Sequence, residues 1–301
     1  MTRPNVSVVV VSFNTRDKLA KCLSAIEEGH EIIVVDNASR DGSADLVLSS
    51  FPRAKLIRNQ ENRGFGAANN QGLEVASGDL ALLLNSDAYA EPGAIERLAS
   101  VFSDPGIVAA GGRLLNPDGS LQESTAGPLS LWAVFCEQLY LEKLFKKSRL
   151  LNPYWNTRRL VELPKPAETA QVMGACLMMR SGLERFDERF FLYCEDTDLC
   201  LRLSQHGRIV YVKDASFTHD LGSSSLKDPL KAVLRYNRGK ELFFAIHEGR
   251  LSAGICVVLD RVGALLRASY WGLRAALSRS RTARAVAAGF LRIGLGTYKD
   301  A

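Results

Sequence analysis

The residues with the clearest capacity for chemistry are Asn85-Ser86-Asp87, which follow the apolar run 80–84. Such a run, bounded by Gly78 and Asp79, is typical of a strand buried on both faces. An open α/β sheet binds ligands at the carboxyl ends of its strands. The carboxylate of Asp87 is therefore predicted to lie where a divalent cation and a phosphate-bearing substrate would meet. A plain polar turn is the alternative interpretation, because Asn, Ser and Asp are common turn residues.

A second acidic group, Glu195-Asp196-Thr197-Asp198, follows an aromatic segment and opens a predicted helix. Helix capping favours Asp and Glu in a first turn, and it accounts for one or two of these acids more easily than for three. His219 lies farther on, in a polar Gly/Ser loop after a predicted strand. A single histidine is more often structural, but this setting favours a metal ligand or a phosphate contact.

Alternating strands and helices must position these residues. Residues 6–12 are β-branched and predict a strand, residues 16–26 predict an amphipathic helix, and residues 31–36 predict a second strand. This is the spacing of a right-handed βαβ unit, with Asp36 at the carboxyl end of the second strand. Further strands are predicted at 56–57, 80–84, 107–110, 171–180 and 208–212.

A Gly-rich stretch at 59–72 precedes a predicted helix and contains Arg63 and Gly64. Small residues let the backbone approach a ligand closely, and a guanidinium forks onto phosphate oxygens. An ordinary loop before a helix is the alternative. The stretch is not G-x-G-x-x-G after a strand, which argues against a nicotinamide site.

The charge of the chain is uneven. Residues 227–301 carry 14 Lys and Arg against 5 Asp and Glu, a net of +9, whereas the rest of the chain has a net of −4. Arg267, Arg274 and Arg281 recur every seven residues, so we expect them on one helix face. A basic amphipathic helix with Trp and Tyr is typical of an interfacial membrane anchor, and a helix pair packed on the body is the alternative. The segment 129–147 has the same two interpretations.

The composition is that of a globular protein of 301 residues. Its six cysteines contain no C-x-x-C pair and lie mostly in apolar contexts, which predicts small buried side chains in a reducing compartment. Nothing at the N-terminus resembles a signal peptide, and no uncharged apolar run approaches the ~20 residues of a spanning helix. We therefore expect a cytoplasmic protein, peripheral on the inner face of the cytoplasmic membrane. Nucleic-acid binding has no recognisable module.

In their order along the chain, these motifs resemble the family 2 glycosyltransferases, and most closely the bacterial rhamnosyltransferases of cell-wall and polysaccharide synthesis. The resemblance covers about residues 5–225. It implies an α/β protein of the GT-A nucleotide-diphospho-sugar transferase fold, with a Rossmann-like, mostly parallel sheet and a C-terminal helical extension. The expected domains are a glycosyltransferase domain at 1–226 and a basic helical region at 227–301.

The resemblance also implies roles at the donor end of the site. Asp36, with Asn37 after it, would face the nucleotide base of the donor. Arg63 and Gly64 would line the nucleotide-sugar pocket.

The remaining roles concern the metal and the reaction. Asn85-Ser86-Asp87 stands where the family has Asp-x-Asp, so Asn85 and Ser86 would contact the donor and Asp87 would hold Mg²⁺ or Mn²⁺. His219 matches a late histidine that completes the metal site in some relatives. Asp196, preceded by Glu195, would be the general base. Asn85 in place of the first Asp removes one charge from the metal site.

The activity implied is an inverting, metal-dependent transfer of a sugar, rhamnose from dTDP-rhamnose, to a lipid-linked or polysaccharide acceptor. A carboxylate base makes an acceptor hydroxyl nucleophilic, and one base opposite the leaving group gives inversion. A UDP-sugar donor is the alternative within the enzymes. A non-catalytic sugar-nucleotide-binding subunit is the alternative outside them. A membrane surface is an expected partner, and a homo-oligomer is possible.

Overall fold

The structure is a computed structural model that describes residues 4–220 and 228–298. The chain divides into two compact units. The first comprises Met1–Pro128 and Trp155–Leu221, and the second comprises Leu129–Tyr154 and Gly222–Ala301. The predicted domain boundary at 226/227 lies outside the described residues.

Within residues 4–220 and 228–298, the strands all belong to the first unit. In chain order they are β1 Val6–Ser12, β2 Glu31–Asp36, β3 Lys55–Arg58, β4 Leu80–Asn85, β5 Ala88–Ala90, β6 Ile107–Leu115, β7 Thr125–Ala126, β8 Ala167–Glu168, β9 Gln171–Val172, β10 Cys176–Arg180 and β11 Arg208–His219.

The helices occur in both units. Those of the first unit are α1 Arg16–Ser24, α2 Ser43–Ser50, α3 Phe65–Val75, α4 Ala94–Ser100, α7 Thr157–Leu160 and α8 Glu195–Leu203, with a 3₁₀ turn at Val101–Ser103. Those of the second unit are α5 Leu131–Gln138, α6 Leu141–Leu144, α9 Pro229–His247, α10 Arg250–Ser278 and α11 Arg281–Gly294.

The central sheet has the strand order β3-β2-β1-β4-β10-β6-β11-β5, with β8 also paired to β11. β3, β2, β1 and β4 are parallel to one another. β10 is antiparallel to both β4 and β6, and β6 is parallel to β11. The carboxyl ends of β1, β2, β4, β6 and β11 therefore lie along one edge of the sheet. The mostly parallel sheet and the α/β class predicted from the sequence are confirmed.

Two apolar layers cover the sheet because successive side chains of a strand point to opposite faces. Val8 and Val10 of β1 pack in one layer with Leu19 of α1. Val9 packs in the other layer with Leu199 of α8. This is why β1 and β4 read as unbroken apolar runs rather than as alternating ones.

Two strand predictions need correction. β11 continues to His219, so the histidine is the last residue of a strand and not part of the loop after it. The Gly/Ser residues after position 220 lie outside the described residues. The predicted strand 171–180 is interrupted at 173–175, which separates β9 from β10. The interruption places Gly174 and Ala175 at the edge of the sheet where the parallel strands have their carboxyl ends.

The second unit is a helical assembly held partly by buried charges. Lys240 of α9 is fully buried and donates hydrogen bonds to Asp260 of α10 at 2.8 Å and to Glu137 of α5 at 3.0 Å. Gln138 donates a further hydrogen bond of 2.6 Å to Asp260. The segment 129–147, with two interpretations from the sequence, thus packs through α5 against α10.

The expectation that three arginines share one helix face is wrong. α10 ends at Ser278 and Arg281 starts α11, after Arg279 adopts a left-handed backbone at φ +51°. Within α10, Arg267 turns inward and donates to Gln138 Oε1 at 2.6 Å. Among the described helices, none is long and apolar enough to cross a membrane.

Candidate active site

The predicted site residues of the first unit converge on the edge formed by the strand carboxyl ends. Asp36 ends β2, Asn85 ends β4 and His219 ends β11. β10 runs in the opposite direction, so Gly174 and Ala175, which precede it, lie at the same edge. Asp196 is in the first turn of α8 and hydrogen-bonds to Gly174 there. The topology, rather than proximity in sequence, brings these groups together.

Asp87 and His219 form the centre of the candidate metal site. Ala88 of β5 pairs with His219 of β11, and this register places Asp87 beside the histidine. Asp87 Oδ1 lies 3.3 Å from His219 Nε2, and both side chains are largely buried. The amide nitrogen of Asn85 lies 3.5 Å from the same Nε2.

Gln122 fixes the orientation of the imidazole. Its Nε2 donates to the backbone carbonyl of His219 at 2.6 Å and to Asn116 Oδ1 at 2.7 Å, so its Oε1 is the acceptor. That Oε1 lies 3.0 Å from His219 Nδ1, which must therefore carry a proton. In the neutral ring, the lone pair is then on Nε2 and points toward Asp87. A hydrogen bond on the far ring nitrogen is the usual support of a metal-binding histidine.

The donor set suits a hard or intermediate divalent cation. A carboxylate from Asp87 and the Nε2 lone pair of His219 are ligands that Mn²⁺ accepts readily, and Mg²⁺ prefers oxygen. Asn85 contributes a neutral amide rather than a second carboxylate, which lowers the negative charge of the set by one.

Asp196 is held by backbone amides at the start of α8. Its Oδ2 accepts from Gly174 N at 3.0 Å and its Oδ1 accepts from Thr197 N at 2.9 Å. The side chain is partly accessible. Burial raises the pKa of the carboxyl, and the two amide hydrogen bonds oppose this rise. Tyr193 and Cys194 both have positive φ immediately before the helix, so the chain enters α8 through a strained turn.

Glu195 has a different environment from its neighbour. It is buried, and its Oε2 has no hydrogen-bond partner among the described residues. Burial, together with the charge of Asp196, raises the pKa of Glu195 to about 8. Asp198, the third acid, is bound by Arg202 Nη2 at 2.7 Å and has a structural role. Two adjacent carboxyls are thus present, of which Asp196 is the accessible one.

A short backbone path joins the candidate metal site to Asp196. Asn85 N donates to Ala175 O at 3.1 Å, and the neighbouring Gly174 donates to Asp196. The end of β4 is therefore three covalent or hydrogen-bonded steps from the carboxylate.

At the other end of the site, Asp36 is buried and keeps one oxygen unused. Its Oδ2 accepts from Ser39 N at 3.2 Å, whereas Oδ1 has no partner among the described residues. A buried carboxylate oxygen without a donor is costly unless a ligand supplies one. An imide N–H of a pyrimidine base is a donor of the right kind.

Asn37 organises the loop that follows β3. Its amide nitrogen donates to Asn62 Oδ1 at 3.0 Å and to Gly64 O at 3.1 Å, and its Oδ1 accepts from Arg63 N and Asn59 Nδ2. The amide therefore uses its hydrogen-bonding capacity within the protein. Its predicted contact with the nucleotide stays a prediction, and the structure gives it a positioning role.

Arg63 and Gly64 lie beside the aromatic segment before α8. Arg63 is partly exposed and its guanidinium lies 3.7 Å from Glu188 Oε2. Gly64 has φ +86°, and a Cβ there would meet the carbonyl oxygen of Phe191 at 2.6 Å. Only glycine is compatible with this approach of the two segments.

Ser86 belongs to a chain of hydroxyls under the same edge. Its Oγ lies 2.9 Å from Thr15 Oγ1, which lies 3.0 Å from Ser12 Oγ at the end of β1. Thr15 and Gln122 were both missed by sequence reasoning. Thr15 directly precedes a helix, where a Thr is common, and Gln122 lies in a region without periodicity, so neither carries a usable signal in the sequence.

Comparison with known proteins assigns the family. Residues 7–180 match the model of glycosyl transferase family 2. The chain is 28% identical over 298 residues to the N-acetylglucosaminyl-diphospho-decaprenol L-rhamnosyltransferase of Mycobacterium tuberculosis, covering 91% of this chain and 94% of that protein.

Two solved structures share the fold. A mannosyltransferase of Pyrobaculum calidifontis, solved with GDP-Man and Mn²⁺, superposes with a TM-score of 0.57 at 15% identity, covering 99% of this chain and 88% of that one. The S. aureus protein TarS superposes with a TM-score of 0.51 at 16% identity, covering 97% and 90%. The chain therefore belongs to glycosyl transferase family 2 and is a glycosyltransferase with a GT-A fold.

Proposed function

We propose that the protein is an inverting, divalent-metal-dependent rhamnosyltransferase that moves rhamnose from dTDP-rhamnose to a lipid-linked or polysaccharide acceptor in cell-envelope glycan synthesis. The observation that carries the proposal is the convergence of Asp87, His219 and Asp196 on one sheet edge. The similarity to the mycobacterial rhamnosyltransferase over most of both chains supports the choice of sugar.

The metal is proposed to be Mn²⁺ or Mg²⁺, held by Asp87 and His219 with Asn85 beside them. When bound, such an ion offsets the negative charge of a diphosphate leaving group. Gln122 keeps the Nε2 lone pair of His219 available. Ser86, anchored by Thr15, is proposed to contact the donor.

Asp36 and Arg63 are proposed to bind the donor nucleotide. Asp36 Oδ1 would accept the N3–H of thymine, and Arg63 would meet a phosphate. Gly64 and Asn37 hold the intervening loop in place. Uracil has the same N3–H as thymine, so a UDP-sugar donor is the second candidate that this observation allows.

Asp196 is proposed to take the proton of the acceptor hydroxyl as that oxygen attacks the anomeric carbon. General-base assistance of this kind contributes about 10²–10⁴-fold. The backbone donors from Gly174 and Thr197 keep the carboxylate oriented. Glu195, the buried residue next to it in the chain, would act through Asp196, because its raised pKa favours a neutral carboxyl and so limits the negative charge beside the base.

An enzyme with a lipid-linked acceptor would have to reach the membrane that holds it. We therefore further propose that the protein is peripheral on the inner face of the cytoplasmic membrane. Homo-oligomerisation stays a prediction.

A donor screen tests the function: purified protein with Mn²⁺ or Mg²⁺, a panel of dTDP-, UDP- and GDP-sugars, and release of nucleotide with and without a prenyl-diphosphate-linked acceptor.

Selective use of dTDP-rhamnose supports the proposal. Selective use of a UDP-sugar discards rhamnose and keeps the mechanism. Binding of a donor without turnover on any acceptor would favour a non-catalytic subunit.

A further inference from the structure

The outward face of α10 is apolar along its whole length. Six of the exposed apolar positions fall at intervals of four and seven residues, which places them on one side of the helix. We call these six the apolar stripe: Leu251, Val258, Val262, Leu266, Leu273 and Leu277. Each is at least two-fifths exposed, and the two end residues are four-fifths exposed.

The stripe is not the face that packs within the second unit. The packed face of α10 carries Cys256, Asp260, Gly263, Ala264 and Ala275, which are all buried. At 100° per residue these positions lie roughly opposite the stripe. α10 therefore has two distinct sides: one packs within the unit, and the other, the apolar stripe, faces outward.

The stripe spans about 39 Å, from 26 steps of about 1.5 Å each. Its one polar interruption, Ser269, turns its hydroxyl back to the carbonyl of Leu265 at 3.0 Å. Single exposed leucines are ordinary on a protein surface, but a continuous apolar strip of this length marks an interaction site.

The charges that border the stripe are all of one sign. From 250 to 294 the sequence contains eight arginines and a single acid, Asp260, which is buried against Lys240. Arg261 lies roughly 100° to one side of the stripe and Arg274 roughly 120° to the other. The Arg274 guanidinium stacks on the Trp271 ring at 4.9 Å, and the neighbouring Tyr270 is exposed.

This charge pattern distinguishes the two occupants that an apolar helix face can have. A second copy packed on the stripe would bring arginines against arginines, because the one acid of α10 and α11, Asp260, is buried against Lys240 and cannot pair with them. A bilayer with anionic headgroups would take up the apolar side chains and place phosphates at the level of the arginines. The exposed aromatic ring of Tyr270 also suits the headgroup region.

We infer that the apolar stripe of α10 is the surface on which the protein lies on an anionic lipid bilayer. The contact is an in-plane one, since α10 is not apolar enough to cross. The inference deepens the proposed function, because it names the part of the chain that would meet the membrane holding a lipid-linked acceptor.

The test is co-sedimentation of the full chain with vesicles of phosphatidylcholine alone or mixed with phosphatidylglycerol. We expect binding to the mixed vesicles, weakened by salt, and little binding to phosphatidylcholine alone. The variant V262Q/L266Q/L273Q should lose roughly tenfold or more of the binding, and R261Q/R274Q, which removes the two arginines that border the stripe, should lose the preference for the anionic lipid. The matched control L48Q/V75Q/L163Q changes three exposed residues of the first unit and should bind like the wild type.

Two results would overturn the inference. One is equal vesicle binding by the wild type and the stripe variant, with both folded by circular dichroism. The other is a wild-type dimer in light scattering without lipid that the stripe variant makes monomeric, which would assign the stripe to a second copy.

Nucleotide release in the absence of vesicles separates the inference from the proposed function. The stripe variant should keep the wild-type rate there, because none of its residues is placed in the active site. A protein that binds vesicles through the stripe but does not use dTDP-rhamnose would retain the surface and lose the proposed donor.

Discussion

The backbone N–H of Gly174 donates a hydrogen bond of 3.0 Å to Oδ2 of Asp196, so a residue that precedes β10 orients the carboxylate proposed as the base. The bond exists because β10 is antiparallel to its neighbours, which brings its amino end to the functional edge. The hydrogen bond fixes the carboxylate at the start of α8 relative to β10, a strand in the middle of the sheet.

Replacement of Asp196 by Asn should lower kcat by about 10²–10⁴-fold, the usual contribution of a general base. Donor binding should change little, because Asn keeps the side-chain shape and an oxygen for Gly174 N–H. Nucleotide release and donor titration by calorimetry measure the two effects. D79N, at the opposite edge of the sheet, is the control. Full turnover by D196N would remove the base assignment.

Replacement of Gln122 by Leu should weaken Mn²⁺ binding by about 10–100-fold, because His219 loses the acceptor that fixes its Nδ1 proton. Direct titration of Mn²⁺ in the presence of the donor nucleotide measures the affinity independently of turnover. Q205L, on the surface after α8, is the control. Unchanged metal affinity with a folded protein would show that the imidazole does not depend on Gln122.

Replacement of Asn85 by Asp should tighten Mn²⁺ binding several-fold, since it restores a carboxylate beside Asp87 and adds one negative charge to the ligand set. The same titration checks this, with N5D as a control, the same change at an exposed residue that precedes β1 at the opposite edge of the sheet. Weaker binding by N85D would mean that the amide, and not the charge count, suits this site.

Replacement of Lys240 by Met should destabilise the second unit by about 3–5 kcal/mol, because it leaves the carboxylate of Asp260 buried without its cation. Chemical denaturation followed by circular dichroism measures the loss. K147M, an exposed lysine of the same unit, should be neutral. Part of the stability should return in K240M/D260L, in which no charge of the pair remains.

Glu31 should stabilise the protein near neutral pH, and this contribution to the free energy of unfolding should be lost in acid. Burial opposes its ionisation, but Lys55, the hydroxyl of Ser7 and the N–H of Ser77 outweigh burial and lower its pKa to about 2. The unfolded chain then binds the proton more tightly than the folded one, so stability is present above pH 4.5 and is lost as the pH falls toward 2.

Glu31→Gln tests this pH dependence. The variant should be less stable at pH 7 by about 1–2 kcal/mol, after a discount for solvent screening, and its stability should vary less between pH 4.5 and 2.5. Thermal unfolding across this pH range measures both. An identical pH dependence in E31Q and the wild type would exclude Glu31 as its source.

The parts of the fold that were predictable from the sequence are those with local signals. β1, β2 and β4 are apolar runs that end in polar residues, so Asp36 and Asp87 were recognisable at their ends. Gln122 was not recognisable as a site residue. Its partner His219 is 97 residues away in the sequence, and the two meet because β6, which precedes Gln122, pairs with β11, which ends at His219. The burial of Lys240 was not predictable either. A lysine in a helix is usually solvated, and only the tertiary contacts of α9, α5 and α10 bury this one.

The insertion of β10 between β4 and β6 has a consequence for synthesis on the ribosome. β4 and β6 emerge first, and their facing edges stay open until residues 176–180 arrive and close the sheet. Open strand edges are sites of misassembly, so the emerging chain passes through a vulnerable stage. Asp196 and His219 follow β10, so the sheet edge that carries the proposed site residues is completed only by the last-made part of the unit.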